Sequence, residues 1–246
     1  MRYFVPAHVR CVSHDDGVVL LDLRRGTYFT LNPVGAVVWS ELSAHGTRDD
    51  ALAALGRTFS VARQRLERDM DVLLGHLQKI GLLARGPSAA PARAGVPAAR
   101  REGAAGETAP YAPRARFGPP WALLWTLRAF LTLIAVDAWI RIAGFARLHE
   151  RVRRRPVRAA VAPDPAVAAR ISAAVDEASA YYFKRAWCLQ RSAAACLLLR
   201  GRGFPARLCI GVRRMPFEAH AWVEIEDRVV NDHPRVQREY ALIEQC

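Results

Sequence analysis

The sequence predicts an α+β protein built from two domains and a linker. The stretch 87–115 is rich in Ala, Pro and Gly and contains almost no large aliphatic side chain. Such a segment cannot bury enough apolar surface to offset the entropy of ordering, so we expect a flexible linker. On both sides of it, strand patterns and helix patterns come in separate runs, which is typical of α+β folds. The predicted domains are therefore 1–86 and 116–246.

In the first domain we expect three strands and then three helices, the order of a small winged-helix domain. The predicted strands are 8–13, 17–23 and 26–31. Asn32 and Pro33 read as a helix N-cap followed by proline at the first helical position. Thr47 with Asp50 resembles the capping box of a second helix. Leu and Met residues at helical spacing place the third helix over 61–81.

The second domain opens with a long apolar run at 117–148, which is interrupted by Arg128, Asp137 and Arg141. A membrane span needs roughly 18 or more consecutive apolar residues, so we favour a buried or interface helix. Contact between 121–147 and a membrane surface is the less favoured alternative. The elements predicted after this run are helices at 165–183 and 188–201 and strands at 206–212, 219–226 and 228–232.

The net charge of +13 does not identify a nucleic-acid-binding protein. Residues 1–86 carry 11 basic and 9 acidic residues, whereas 116–246 carry 21 and 12. Basic residues cluster only in RVRRRPVR at 151–158, and such a run is usually a solvated linker. The charge suits an anionic partner without naming one, and we expect no nucleic acid.

The cysteines favour a reducing environment and no metal. The chain has five, an odd number without a CxxC pair, which indicates neither a disulfide framework nor a zinc site. The first residues lack the apolar core of a signal peptide, so we expect a cytoplasmic protein. The sequence contains no glycine-rich phosphate-binding loop, and we expect no cofactor.

Cys188 is the cysteine best placed for catalysis, because it begins the predicted helix 188–201. A helix N-terminus stabilises a thiolate through its unpaired N–H groups and dipole, and a thiolate is a far better nucleophile than a thiol. Cys196 lies deeper in the same helix, and Cys209 lies in an apolar strand. From position alone a small apolar core residue is the commoner role for a cysteine, so both interpretations stay open.

A nucleophilic cysteine needs a base and a group that orients the base. His220 begins the predicted strand 219–226, and Asp232 ends the next strand. A two-residue turn between these strands pairs His220 with His233 and puts Asp232 on the other face of the hairpin. A one-residue bulge or a three-residue loop brings His220 and Asp232 onto one face. The hairpin allows the contact without establishing it, and His233 is a competing base that we expect to be exposed.

The segment CLQRSAAACLLLRGRGFPARLCIGVRRMPFEAHAWVEIEDRVVND resembles the leader-peptidase B proteins of lasso peptide biosynthesis. The resemblance implies a transglutaminase-like, papain-related cysteine peptidase domain. It carries the family's Cys-His-Asp triad onto Cys188, His220 and Asp232. The family often has Asp-Gly at the hairpin turn, where this chain has Glu226 and Asp227. This departure puts the turn geometry in question but not the triad.

The segment DLRRGTYFTLNPVGAVVWSEL resembles the precursor-recognition element of ribosomal peptide maturation enzymes, a winged-helix module related to the pyrroloquinoline quinone peptide chaperone. The resemblance implies that a leader peptide adds to the edge of the third strand and lies against the third helix. The residues expected to bind it are Thr27, Tyr28, Phe29, Thr30 and Leu31 on the strand and Arg65, Asp69, Val72 and His76 on the helix. For each of them, an ordinary core or solvated position is the alternative.

Together the resemblances imply a cysteine peptidase that binds the leader of a lasso precursor peptide and removes it from the core before macrocyclisation. Ring closure is implied to belong to a separate ATP-dependent cyclase. Two other functions stay open. One is a non-catalytic peptide-binding chaperone in which Cys188 is structural, and the other is a transglutaminase-type acyltransferase. A DNA-binding winged helix is disfavoured by the near-neutral charge of the first domain.

Overall fold

The computed structural model describes residues 2–14, 17–59, 61–86, 120–156, 164–182 and 188–246. The chain divides into two compact units, Met1–Ala99 and Arg100–Cys246. The division falls within the predicted linker 87–115, which lies outside the described residues.

The first unit contains the predicted three strands and three helices in the predicted order. Its elements are β1 (Tyr3–Phe4), β2 (Val9–His14), β3 (Gly17–Asp22), β4 (Thr27–Leu31), α1 (Pro33–Ala44), α2 (Arg48–Thr58), α3 (Arg63–Lys79) and β5 (Ala84–Arg85). Strands β2, β3 and β4 form an antiparallel sheet in that order, and β1 pairs with β5. No pattern predicts the β1–β5 pair, because two residues are too few to show alternation.

The predicted caps begin the first two helices. The side-chain oxygen of Asn32 accepts the backbone N–H of Gly35 at 2.9 Å, and Thr47 Oγ1 accepts that of Asp50 at 3.2 Å. Strand β3 is buried along its whole length between β2 and β4. The core of the unit contains Leu20, Leu42, Leu55, Met70, Leu74 and Leu77. Within the described residues, β4 is left as an outer strand of the sheet.

The second unit packs helices against an antiparallel sheet. Its elements are α4 (Pro120–Arg154), α5 (Pro165–Ala180), α6 (Cys188–Gly201), β6 (Ala206–Arg213), β7 (Glu218–Ile225), β8 (Arg228–Val229), α7 (Val236–Glu239) and β9 (Ala241–Gln245). The strand order is β8-β7-β6-β9. Helix α6 is central and is buried from Ser192 to Arg200, packing against α4, α5 and β7. Strand β8 ends earlier than the sequence predicts, and this early end shapes the candidate site.

Helix α4 is partly buried, so it is not the fully buried form of the expected buried or interface helix. At Gly144 the backbone has φ 78° and ψ 171°, a kink that favours glycine and splits the helix into two arms. Ala129, Leu133 and Val136 pack into the helical core. The exposed large apolar residues of this helix are Leu123, Leu124, Leu127, Leu131, Ile134, Trp139 and Ile142. By length and composition alone Leu123–Arg154 is apolar enough to cross a bilayer, and 17% of its apolar window is buried.

Candidate active site

Cys188 is the first residue of α6 and is half-buried. Its Sγ lies 4.0 Å from the carbonyl oxygen of Ala219, the residue before His220 on β7. The first turn of a helix leaves N–H groups without intrahelical acceptors, so the sulfur lies where negative charge is favoured. Because α6 is buried from Ser192 to Arg200, its packing in the core holds this helix end in position.

His220 and Asp232 lie next to Cys188. His220 Nε2 donates a hydrogen bond to Asp232 Oδ2 at 2.6 Å, and the imidazole is also hydrogen-bonded to the Cys188 thiol. Since the carboxylate takes Nε2, Nδ1 is the ring nitrogen left for the sulfur. The side chains of His220 and Asp232 are 22% and 31% exposed, so the site is open to a substrate. The structure thus brings together the three residues predicted as nucleophile, base and orienting acid.

The surroundings of these three groups favour their charged forms. Burial raises the pKa of the Cys188 thiol, but the hydrogen bond to His220, the charge of that ring and two backbone bonds outweigh it, so the pKa lies below its ordinary value. The bond to Asp232, followed by the bond to Cys188, raises the pKa of His220 from 6.5 to about 9. Burial raises the pKa of Asp232, yet the His220 bond and a backbone bond lower it overall. These directions favour the thiolate of Cys188, the imidazolium of His220 and the carboxylate of Asp232 over their neutral forms.

Cys196 and Cys209 have different surroundings, although Cys196 is on the same helix as Cys188. Both residues are buried, and their sulfurs donate to backbone carbonyl oxygens. Burial raises the pKa of Cys196 to about 11 and also raises the pKa of Cys209. Of these three thiols Cys188 alone has a lowered pKa, and the difference follows from the imidazole beside it.

The β7–β8 hairpin has a two-residue turn. Glu224 pairs with Val229 across it, and the two turn residues, Glu226 and Asp227, have φ of 50° and 63°. A two-residue hairpin turn of this kind needs positive φ at both positions. The replacement of the family's usual Asp-Gly by Glu226 and Asp227 therefore leaves the turn intact.

Asp232 contacts His220 through neither of the two irregularities that the sequence suggested. No bulge and no three-residue loop intervene; instead the ladder stops at Val230, whose N–H donates to the carbonyl oxygen of Val223 at 3.0 Å. Asn231 Oδ1 then accepts the N–H of Val223 at 2.6 Å. Because a side chain has taken the place of the next backbone partner, the chain leaves the strand and Asp232 turns back to His220.

Ser192 is buried one helical turn after Cys188 and completes this connection. Its hydroxyl donates to the carbonyl oxygen of Ala221 at 2.7 Å and accepts from Asn231 Nδ2 at 2.8 Å. Neither Ser192 nor Asn231 is among the residues predicted for the site. The signal that could have found them is their polarity beside predicted site residues, four after Cys188 and one before Asp232.

Aromatic side chains restrict the His220 ring. The ring centroid of Tyr240 lies 5.0 Å from that of His220, and the centroid of Trp222 lies 6.5 Å from it. Gly211 makes room for the indole, because a Cβ at this position would lie 2.7 Å from Cη2 of Trp222. The imidazole therefore has little freedom to rotate away from its two hydrogen-bond partners.

Two other polar residues near the site, His233 and Arg191, make different contacts. His233 is exposed, as expected, and its backbone N–H donates to Asp232 Oδ1 at 2.7 Å. Arg191, one turn along from Cys188, is ion-paired with Asp176 on α5. Among the described residues, no group of three or more His, Cys, Asp or Glu side chains is arranged to hold a metal ion.

The predicted leader-binding residues of β4 differ in exposure. Thr27 and Thr30 are exposed, Tyr28 and Phe29 are half-buried, and Leu31 is buried in the core of the first unit. The side chain of Leu31 therefore takes the core alternative, and only its backbone is available to a partner strand. Among the described strands β4 pairs with β3 alone, so it lies at an edge of this sheet.

The predicted leader-binding residues of α3 form one exposed stripe. Arg65, Asp69, Val72 and His76 follow each other at intervals of three or four residues and are all exposed. Arg65 and Asp69 are ion-paired at 3.8 Å. Val72 is 73% exposed and is the apolar member of the stripe.

Two family models match the chain. Residues 130–245 match the transglutaminase-like superfamily, and residues 17–83 match coenzyme PQQ synthesis protein D. The matches confirm the predicted combination of a recognition domain related to the PQQ peptide chaperone with a transglutaminase-like domain.

Individual proteins match shorter stretches of the chain. The chain is 41% identical to the microcin J25-processing protein McjB of Escherichia coli over 56 residues. The matched stretch is 23% of this chain and 27% of that protein. The chain thus spans about a quarter of the length of this curated relative. Two solved chains are TbiB1 in complex with the TbiA(beta) leader peptide and a lasso peptide synthetase B1 complexed with the leader peptide. They share 34% and 27% identity, cover 35% of this chain and 99% and 100% of their own length, and have TM-scores of 0.33.

Proposed function

Because the chain joins a PqqD-like domain to a transglutaminase-like domain and is homologous to the B proteins of lasso peptide biosynthesis, we propose that it is a leader peptidase. It binds the leader of a ribosomally made precursor peptide and cleaves the leader from the core. The observation that carries the proposal is the hydrogen-bonded set of Cys188, His220 and Asp232 at the start of a buried helix. A nucleophile, a base and an orienting acid in this arrangement support covalent catalysis.

The first half of the reaction forms a thioester. The Cys188 thiolate attacks the carbonyl carbon at the leader–core junction, and the C–N bond of the peptide breaks. His220 donates its Nδ1 proton to the departing nitrogen, so the core peptide leaves with a free amine. Asp232 keeps the imidazole in the required orientation and stabilises its charged form throughout.

The second half of the reaction uses water. His220, now neutral, takes a proton from a water molecule, and the resulting hydroxide attacks the thioester carbonyl. The leader leaves with a free carboxylate, and Cys188 returns as the thiolate of the ion pair. The backbone N–H of Cys188 at the start of α6 is the donor best placed for the oxyanion in both halves.

Leader recognition belongs to the first unit in this proposal. The outer strand β4 offers a backbone ladder, which supplies affinity that does not depend on sequence. Exposed side chains on β4 and on α3, with Val72 as the apolar contact, select the leader. Binding and chemistry therefore use separate parts of the chain.

Lasso peptide assembly needs a further activity that this chain does not supply in our proposal. We assign ring closure to a separate ATP-dependent cyclase, which accepts the core peptide after its amine has been freed. The reaction requires a reduced thiol at Cys188, which is consistent with a cytoplasmic location.

Acyl transfer to an amine is the second candidate function. The match of 130–245 to the transglutaminase-like superfamily favours it, since a thioester reacts with an amine as well as with water. Mass spectrometry of the released leader in the presence of a primary amine separates the two outcomes. A free carboxylate indicates hydrolysis, and the mass of the added amine indicates transfer.

Timed alkylation with iodoacetamide tests the proposal without knowledge of the precursor. The native protein is labelled at several pH values, and each cysteine is quantified by peptide mapping. Cys188 should react fastest below neutral pH and should lose this advantage in a His220→Ala variant, with Cys196 and Cys209 as internal controls. Equal labelling of the three cysteines would overturn the peptidase proposal and would favour a peptide-binding chaperone.

A further inference from the structure

We propose that Asn231 and Ser192 are positioning residues that direct Asp232 onto His220. This inference rests on the proposed function, because it concerns how the residues of that site are held. Its evidence is independent, since it comes from the hairpin register and from three side-chain hydrogen bonds.

The register of the hairpin shows why a regular ladder cannot bring Asp232 to His220. Glu224 pairs with Val229 across the turn, so an uninterrupted ladder would place Asp232 opposite Ala221. Successive residues of a strand point to opposite faces, and Asp232 would then point away from the face that carries His220. A regular hairpin of this register separates the acid from the base.

Asn231 interrupts the ladder and keeps the N–H of the buried Val223 paired. Its Oδ1 accepts the N–H of Val223 at 2.6 Å, the bond that a backbone carbonyl would otherwise make. A side chain that supplies the acceptor frees the backbone to bend, and Asp232 follows directly in the bend. The amide of Asn231 thus ends the strand one residue before the acid.

Ser192 fixes the other end of the Asn231 amide. Asn231 Nδ2 donates to Ser192 Oγ at 2.8 Å, and Ser192 Oγ donates to the carbonyl oxygen of Ala221 at 2.7 Å. Ser192 is 1% exposed and its bond to Ala221 is buried, so leaving that hydroxyl without a partner would be costly. The hydroxyl accepts one bond and donates one, and the amide uses both its oxygen and its nitrogen.

The three bonds link the three elements that carry the site. Ser192 is on α6 with Cys188, Ala221 is on β7 next to His220, and Asn231 precedes Asp232. The connection therefore holds the helix that carries the nucleophile, the strand that carries the base and the bend that carries the acid. Loss of one bond should shift Asp232 relative to His220 and leave the leader-binding unit unaffected.

The test measures the pKa of His220 by NMR titration of its ring in full-length protein variants. Asn231→Ala should lower it from about 9 by about one unit or more, which is a tenfold change in the ring's proton affinity. Ser192→Ala keeps the buried volume and should give a smaller change in the same direction, so it serves where Asn231→Ala unfolds the domain. Ser179→Ala is the matched control, because it also removes a hydroxyl that donates to a backbone carbonyl in this unit, and it should change nothing.

A double variant separates positioning from a general structural role. If Asn231 acts through the carboxylate, Asn231→Ala added to Asp232→Asn should cause no further change in the pKa of His220. A pKa in Asn231→Ala equal to that of the wild type would overturn the inference, and so would additive effects in the double variant.

The failure of the proposed function would look different. If Cys188 of the wild type reacts with iodoacetamide no faster than Cys196, the peptidase proposal fails. The titration of His220 in Asn231→Ala would still show whether the amide positions Asp232. If Cys188 is reactive and Asn231→Ala leaves both its alkylation rate and the pKa of His220 unchanged, only the positioning role is wrong.

Discussion

Replacement of Asp232 by Asn tests whether this carboxylate sets the charge of His220. The pKa of His220 is about 9 against an ordinary 6.5, which corresponds to a preference of roughly several hundredfold for the charged ring. The bond to Asp232 is the largest contribution, and the bond to Cys188 is the second. Asp232→Asn should therefore lower the pKa of His220 by about one unit or more. The bond to Cys188 should maintain part of the remaining increase above 6.5.

The same change narrows the pH range in which the ion pair exists. In the wild type the imidazolium is lost as the pH rises through about 9, and the thiolate is lost as the pH falls through the lowered pKa of Cys188. Asp232→Asn moves the upper limit toward neutral pH. A less stable imidazolium also stabilises the thiolate less, so the pKa of Cys188 rises and the lower limit moves up. Each pKa unit should reduce the thiolate fraction at a given acidic pH about tenfold.

Two measurements check this prediction. NMR titration of the histidine rings gives the pKa of His220, whose signals are assigned by their absence in His220→Gln. Iodoacetamide rates at Cys188 across pH give the two limits of the ion pair. Asp137→Asn is the control, because it neutralises a carboxylate that is ion-paired with Arg141 on α4. An unchanged His220 titration in Asp232→Asn, or an equal drop in Asp137→Asn, would refute the reasoning.

Three further predictions follow from the structure. Cys188→Ala should abolish cleavage, measured by mass spectrometry, and leave leader binding intact, measured by fluorescence anisotropy. Loss of binding would contradict the assignment of binding and cleavage to separate units. Gly211→Ala should destabilise the protein by about 1–3 kcal/mol in denaturant melts through its clash with the indole, whereas Gly56→Ala, with nothing within 4 Å, should not. Val72→Asp should weaken binding of a labelled synthetic leader peptide about tenfold, and Val61→Asp, also exposed, should not; equal losses would remove Val72 from the binding surface.

The order of the elements could be predicted because local chemistry determines it. Asn32 and Thr47 begin helices in the structure as their cap patterns indicate, since a side-chain oxygen that satisfies a free N–H is a local interaction. The burial of α4 could not be predicted in the same way. Apolar composition does not tell which stripe of a helix finds a partner, and Leu133 is buried while Leu131 is 58% exposed. That distinction depends on α5 and α6, which are distant in sequence.

The site was predictable in its residues but not in how the chain connects them. Periodicity treats a strand as a uniform ladder, and by that rule a two-residue turn separates His220 from Asp232. The structure keeps the turn and the register and still makes the contact, because the amide of Asn231 takes over one ladder bond. A side chain that imitates a backbone carbonyl leaves no trace in hydrophobic periodicity. In this hairpin the Asn directly before the acidic site residue marks the break in the ladder, and the acid beyond the break reaches the face that carries His220.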